Sequence, residues 1–171
     1  IGLRALQHRG QESAGITSDD GEHLTQKEMG LVAEVLNDLG DEFTNGLTGI
    51  GHVRYSTAGG SSMKNAQPMT VSSVNGELSI GQNGNVANQD ALRQEKENAG
   101  WAFMSDTDSE IIVRMIANNL SKKHSIIKSI QLTMENLVGS YSIVLLHQDE
   151  LYAFRDPLGI KPLFIDRKSD V

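Results

Sequence analysis

The 171 residues are enough for one domain that buries a sizeable core. A net charge of -7 and a pI near 5.2 argue against a surface that grips nucleic acid through its phosphates, because such surfaces normally carry an excess of lysine and arginine. The sequence has no cysteine, which excludes disulfides, thiolate metal sites and a thiol nucleophile within these residues. With no signal-peptide pattern and no apolar run of about 18 residues, we expect a cytoplasmic protein that does not enter a membrane.

The first half of the chain is predicted to form short strands connected by tight turns. Residues 1–6 have the apolar pattern of a helix end, and residues 31–39 have that of a short amphipathic helix. Residues 56–62 are rich in serine and glycine, which favours a mobile loop. Asp20-Gly21 and Asn75-Gly76 are hairpin turn signals. Strand-forming residues predict strands at 13–17, 23–27, 49–55, 70–74 and 77–80.

Helices are predicted in the middle of the second half. Residues 89–97 are helix-like, and Thr107 and Glu110 have the spacing of a capping box. This spacing predicts a helix start with Thr107 as N-cap and Glu110 reaching back to its amide. Apolar stripes at helical spacing follow over 112–120 and 126–137.

The end of the sequence returns to strands, predicted at 141–147, 151–154 and 163–165, with a turn at 156–159. Short connections between them suit antiparallel pairs. Strands followed by helices and then by strands again predict an α+β fold rather than alternating parallel units.

Two charged residues are candidates for binding an amino acid. Arg54 ends a predicted strand just before the loop, and its guanidinium matches a carboxylate in bidentate geometry. Asp108 lies in the first turn of the capped helix and would supply an anion for an ammonium group. Taken alone, a solvated surface arginine and a carboxylate that favours a helix N-terminus are simpler interpretations. A free amino acid needs both charges, and this pair would provide them.

Asn83-Gly84 is a candidate oxyanion hole. A side-chain amide and a neighbouring backbone N–H can converge on one developing negative oxygen, and glycine permits close approach. Taken alone, a tight turn after a strand is the simpler interpretation of this dipeptide. The histidines show no metal-ligand spacing, so we expect no metal site.

Several segments, taken in order, resemble the glutaminase domain of class II glutamine amidotransferases, the type with an N-terminal nucleophile. They are LQHRGQESAG at 6–15, GHVRYSTAG at 51–59, AQP at 66–68, NGN at 83–85, TDSE at 107–110 and FRDPLGIKPL at 154–163. Each is weak alone, but the ordered set covers nearly the whole chain. The wording RYSTAG, AQP and NGN further resembles the branch of the family that transfers ammonia to phosphoribosyl pyrophosphate at the start of de novo purine synthesis.

The resemblance implies a four-layer αββα sandwich of antiparallel sheets and a set of roles for the candidate residues. Arg54 would hold the glutamine α-carboxylate, and Asp108 would hold its α-amino group. Asn83 and Gly84 would form the oxyanion hole.

The resemblance also implies roles near the nucleophile. Thr57 would be a further substrate contact in a loop that closes over the substrate, and Arg9 would help to order the site. In the family the nucleophile is the cysteine at the N-terminus of the mature chain, with its own α-amino group as base. No cysteine stands here. We therefore expect residues 1–171 to be a glutaminase domain that lacks its first strand and its C-terminal end and is inactive by itself.

The family further implies what the complete protein contains. We expect a phosphoribosyltransferase domain after residue 171, with Mg²⁺ bound there and no cofactor in this domain, while an iron–sulfur cluster stays undecided. The expected partners are glutamine and, through the further domain, phosphoribosyl pyrophosphate, in a homo-oligomer that binds no nucleic acid. Two alternatives stay open: the glutaminase domain of another class II amidotransferase, and a non-catalytic domain that binds glutamine.

Overall fold

The computed structural model describes residues 2–55 and 61–166, which contain two antiparallel sheets. The first sheet has the strand order β2-β1-β3 and consists of β1 (Ser13–Asp19), β2 (His23–Met29) and β3 (Thr48–Arg54). The second has its strands in chain order and consists of β4 (Met69–Ser73), β5 (Gly76–Val86), β6 (Gly139–His147) and β7 (Glu150–Arg155). Tight turns join β1 to β2 and β4 to β5, as the turn signals predict.

Helices cover the outer faces of both sheets. They are α1 (Gly2–Ala5), α2 (Val32–Val35), α3 (Glu42–Asn45), α4 (Gln89–Asn98), α5 (Asp108–Ser121) and α6 (Ile126–Met134). Helix α5 packs on β4 and β5 with α6 beside it, whereas α1 and α2 pack on the first sheet. The expected αββα arrangement is therefore confirmed, although the helix predicted over 31–39 is shorter than expected. Among the described residues, no helix has the length and apolarity needed to cross a membrane.

The main apolar core lies between α5 and the second sheet. Its fully buried members come from α5, β5 and β6 and include Ile111, Ile112, Ile116, Leu78, Ile80, Ile143 and Leu145. Burying a side chain of this size stabilises the fold by roughly 1.5–3 kcal/mol. A smaller cluster of Ala14, Val32 and Val35 lies under α2. The helix that carries Asp108 is thus anchored through its apolar face.

Polar side chains connect the two sheets to each other. In the first sheet the Thr17 and Thr25 hydroxyls are 2.9 Å apart, and Thr25 reaches Thr70 of the second sheet at 3.1 Å. Thr70 continues to Ser79 at 2.7 Å, and His23 Nδ1 lies 2.8 Å from the Ser79 hydroxyl. These partly buried groups supply hydrogen-bond partners to one another where the two sheets meet.

The start of α5 is as predicted, but the capping box is wrong. Thr107 precedes the helix in an extended conformation, yet its side chain makes no capping hydrogen bond. The Glu110 carboxylate reaches farther back instead and accepts from the backbone amides of Met104 and Ser105 and from the Ser105 hydroxyl. Burial alone would raise the pKa of Glu110, but these hydrogen bonds, together with one from Arg114 Nε, outweigh it and lower the pKa. Glu110 therefore braces the turn that leads into Asp108.

The strand predicted at 163–165 is also wrong, because these residues have no strand conformation. The chain instead turns back after β7, where the Asp156 carboxylate accepts from the backbone amides of Tyr141, Ile160 and Lys161. The Ser142 hydroxyl donates to the carbonyl of Lys161 at 3.2 Å. These bonds hold the turn against β6, and the residues beyond it pair with no strand of the described chain.

Candidate functional site

A cavity of about 680 Å³ opens between the end of β3, the second half of β5 and the start of α5. It is lined by Arg54 and Asp108, which were predicted to bind substrate, and by Asn83 and Gly84, the predicted oxyanion hole. They come from both sheets and from the helix that packs on the second one. The structure therefore brings together side chains that lie far apart in the sequence.

Arg54 is the last residue of β3 and is only 6% exposed, so the interpretation as a solvated surface arginine is wrong. Its Nη1 lies 2.6 Å from Oε1 of Glu12. The Glu12 backbone amide also donates to the Arg54 carbonyl at 3.0 Å. A buried guanidinium needs a charged partner, and Glu12 supplies one that fixes its direction. Sequence patterns give no sign of this pair, because its members are 42 positions apart.

Asn83 and Gly84 lie inside β5 and not in a turn, so the tight-turn interpretation is wrong. They stand opposite Ser142 and Tyr141 of β6. Gly84 has a φ of +152°, and a Cβ there would lie 2.2 Å from the carbonyl oxygen of Ser140. Glycine is therefore required at this position by the close approach of the two strands. The exposed Asn83 side chain and the Gly84 backbone both face the cavity.

Asp108 is the first residue of α5, where a carboxylate is electrostatically favoured. Its Oδ2 accepts two hydrogen bonds at 2.9 Å, one from Gln82 Nε2 and one from the Val86 amide. The other oxygen, Oδ1, has no donor among the described residues. The carboxylate is thus fixed by one oxygen at the cavity wall, and its other oxygen can accept from a ligand ammonium group.

His52 lies in β3 and is among the residues that line the cavity. Its Nε2 is 2.9 Å from the Gln82 carbonyl, and its Nδ1 is buried with no hydrogen-bond partner among the described residues. Burial lowers the pKa of His52 to about 4, the hydrogen bond to Gln82 opposes this shift, and the Arg54 charge adds to it. The imidazole is therefore neutral near pH 7 and donates from Nε2.

Arg9 and Thr57 are the other two residues that the sequence predicted for the site. Arg9 lies in a short 3₁₀ turn, Gln7–Arg9, and lines the cavity with an exposed side chain. Thr57 lies outside the described residues, as does most of the loop predicted over 56–62. Lys161 also lines the cavity, a placement that the sequence did not predict. No group of three or more His, Asp or Glu side chains in residues 2–55 and 61–166 could hold a metal ion.

One cavity thus has a cationic side chain, Arg54, and an anionic side chain, Asp108, beside the Asn83-Gly84 part of β5. Residues 52–171 match the family model of the glutamine amidotransferase domain. The chain belongs to this family.

Named relatives extend the match to nearly the whole chain. It is 47% identical over 169 residues to the amidophosphoribosyltransferase of Archaeoglobus fulgidus, covering 98% of this chain and 37% of that protein. It is 48% identical over 168 residues to that of Methanothermobacter thermautotrophicus, covering 98% of this chain and 35% of the relative. The chain therefore spans little more than a third of the length of these relatives.

Solved structures agree with this match. The B. subtilis glutamine phosphoribosylpyrophosphate amidotransferase complexed with ADP and GMP has a TM-score of 0.83 at 36% identity, over 94% of this chain and 34% of that one. A structure described as the allosteric regulatory enzyme of purine biosynthesis has a TM-score of 0.85 at 36% identity, over 94% of this chain and 35% of that one.

Proposed function

We propose that this chain is the glutaminase part of an amidophosphoribosyltransferase, which releases ammonia from glutamine for transfer to phosphoribosyl pyrophosphate. The observation that carries the proposal is the convergence of Arg54, Asp108 and the Asn83-Gly84 strand on one cavity. Relatives of 46–48% identity over nearly the whole chain carry that enzyme's name, which supports this branch of the family over other class II amidotransferases.

Each cavity residue has a role that follows from its chemistry. The Arg54 guanidinium, held by Glu12, binds the α-carboxylate, and Asp108 Oδ1 accepts from the α-ammonium. These two contacts place the side-chain carboxamide of glutamine along β5. There the Asn83 amide and the Gly84 N–H donate to the oxyanion that forms when a nucleophile attacks the carboxamide carbon.

The nucleophile and the acceptor half of the reaction belong to other parts of the complete protein. A cysteine upstream of these residues would attack the carboxamide, and a phosphoribosyltransferase domain with Mg²⁺ would use the ammonia. The complete protein is proposed to be a cytoplasmic homo-oligomer. The coding sequence upstream of residue 1 provides a direct test: a Cys-Gly pair must follow the initiator methionine or a short propeptide.

The Asp108→Asn variant of the complete protein tests the glutamine site. Because it removes the charge that binds the ammonium group, we expect the KM for glutamine to rise by roughly tenfold or more, since a hydrogen bond to a charged group is worth about 1.5–3 kcal/mol. Activity with free ammonia should survive, because ammonia does not need this cavity. Arg54→Ala should behave in the same way through loss of the carboxylate contact.

The matched control is Asp90→Asn, which neutralises an exposed carboxylate in the first turn of α4. It should leave the KM for glutamine unchanged. Loss of glutamine-dependent and ammonia-dependent activity together, in folded Asp108 and Arg54 variants, would contradict the proposed roles.

A further inference from the structure

We infer that Gln82 is a positioning residue that holds Asp108 in place for the ligand's ammonium group, an inference that rests on the function proposed above. Gln82 lies in β5 immediately before Asn83 and is 5% exposed. Its Nε2 donates to Asp108 Oδ2 at 2.9 Å, and the Ser109 hydroxyl donates to its Oε1 at 2.8 Å. One side-chain amide thus binds the first two residues of α5.

The backbone of Gln82 is held as firmly as its side chain. Its amide donates to Gln67 Oε1 at 2.7 Å, and its carbonyl accepts from His52 Nε2 at 2.9 Å. These partners come from two other segments of the chain. The backbone of β5 next to Asn83 is therefore fixed independently of the side-chain bonds to α5. A substitution of the Gln82 side chain should remove the bonds to α5 without moving this backbone.

The contacts of Asp108 indicate what the Gln82 side chain does. Both protein donors, Gln82 Nε2 and the Val86 amide, bind the same carboxylate oxygen. The torsion about the Cβ–Cγ bond of a carboxylate is soft, and two donors restrict it. Removing one of them lets Oδ1 turn away from the ligand. Gln82 should therefore govern affinity for glutamine rather than the rate of the chemical step.

The first test is Gln82→Met in the complete protein. Methionine has a similar size but neither donates to Asp108 nor accepts from Ser109. We expect the KM for glutamine to rise roughly tenfold, as expected for one lost bond to a charged group. The value of kcat should stay within about twofold, which marks an effect on binding. An unchanged KM in a folded variant overturns the inference, as does a fall in kcat with no change in KM.

The second test, Gln82→Glu, gives a pH-dependent readout that a purely structural role would not produce. A protonated glutamic acid reproduces the amide, since its O–H donates to Asp108 and its carbonyl accepts from Ser109. Two carboxylates at this distance retain one proton between them and lose it as the pH rises. The anions then repel each other, and the Asp108 carboxylate is displaced.

The measurement is the ratio of the variant KM to the wild-type KM for glutamine, between pH 6 and pH 8.5. The other titratable or charged groups lining the cavity are present in both proteins and cancel in the ratio: His8, Arg9, His52, Arg54, Tyr55, Asp106 and Lys161. We expect a ratio near one at pH 6 and a rise of roughly tenfold by pH 8.5. A ratio independent of pH overturns the inference.

A control variant and the wild type separate the possible failures. Gln94→Glu makes the same change on the exposed side of α4, where the Gln94 side chain donates to Asn98, and it should keep a ratio of one. Thermal unfolding identifies folded variants, and if Gln82→Met does not fold, the near-isosteric Gln82→Glu decides. A wild-type protein with no glutamine-dependent activity would refute the proposed function itself. A wild type that uses glutamine, with both Gln82 variants unaffected, would refute only the role of Gln82.

Discussion

The buried imidazole of His52 predicts a specific dependence of stability on pH. Burial holds its pKa at about 4, and protonation would place a charge on Nδ1, which has no acceptor among the described residues. In the unfolded chain the pKa of a histidine is about 6.5. Between about pH 6.5 and pH 4, His52 is therefore protonated in the unfolded state but not in the folded state. The contribution of His52 to stability is complete above pH 6.5 and is lost as the pH falls toward 4.

The size of this effect follows from the two pKa values. Between pH 7 and pH 4.5, protonation of the unfolded state at His52 should cost the fold about 2–3 kcal/mol. The assay is urea unfolding of wild type and of the His52→Gln variant at pH 7, 5.5 and 4.5. Glutamine retains a donor for the Gln82 carbonyl but does not titrate.

The difference between the two proteins isolates His52, because the buried carboxylates of both titrate alike. The wild type should lose about 2–3 kcal/mol more than His52→Gln between pH 7 and pH 4.5. His124→Gln, at an exposed histidine, controls for the removal of an imidazole. Equal pH dependence in wild type and His52→Gln would refute the reasoning.

Two further substitutions test the backbone around the site. Gly84→Ala would place its Cβ 2.2 Å from the Ser140 carbonyl oxygen, so thermal unfolding should show a loss of roughly 3 kcal/mol or more, whereas Gly2→Ala has no atom within 4 Å and should be nearly neutral. A Gly84→Ala protein as stable as wild type would contradict the crowding argument. Glu110→Gln should lose roughly 1–3 kcal/mol in urea unfolding near pH 7, because an amide accepts fewer of the bonds that this carboxylate receives. Because hydrogen bonds lower the pKa of Glu110, that difference should shrink below about pH 4 as the wild-type carboxylate becomes protonated, and a constant difference would argue against it.

The sequence predicted the parts of this molecule that local patterns determine. The apolar stripe that follows Asp108 defines one face of a helix, and Arg54 stands where a strand ends. The Asn83-Gly84 dipeptide misleads because its local preference is a turn, while pairing with β6 along its length keeps it extended. The capping-box prediction is wrong because Glu110 accepts hydrogen bonds from Met104 and Ser105 and not from the Thr107 amide.

What the sequence could not predict is the set of hydrogen bonds that hold the site residues in place. Gln82 and Asp108 are 26 positions apart, and no local sequence pattern predicts that a glutamine in a strand will bond to the first residue of a helix. The Glu12 partner of Arg54 is concealed in the same way. Such pairs arise only when the two sheets and the helix are assembled, so tertiary geometry decides them.

The hydrogen bonds between the sheets have a consequence for how this domain can fail. Two sheets packed only through apolar side chains can shift relative to each other at little cost in free energy. Hydrogen bonds between hydroxyls, or between a hydroxyl and an imidazole, are directional and hold the two sheets in one relative position. Arg54 belongs to the first sheet, and Asn83 belongs to the second. A small slip at Thr25 and Thr70 would alter the span between the two ends of the ligand site while leaving each layer intact. Substitutions at these inter-sheet hydrogen bonds should therefore first appear as a folded protein with weakened ligand binding.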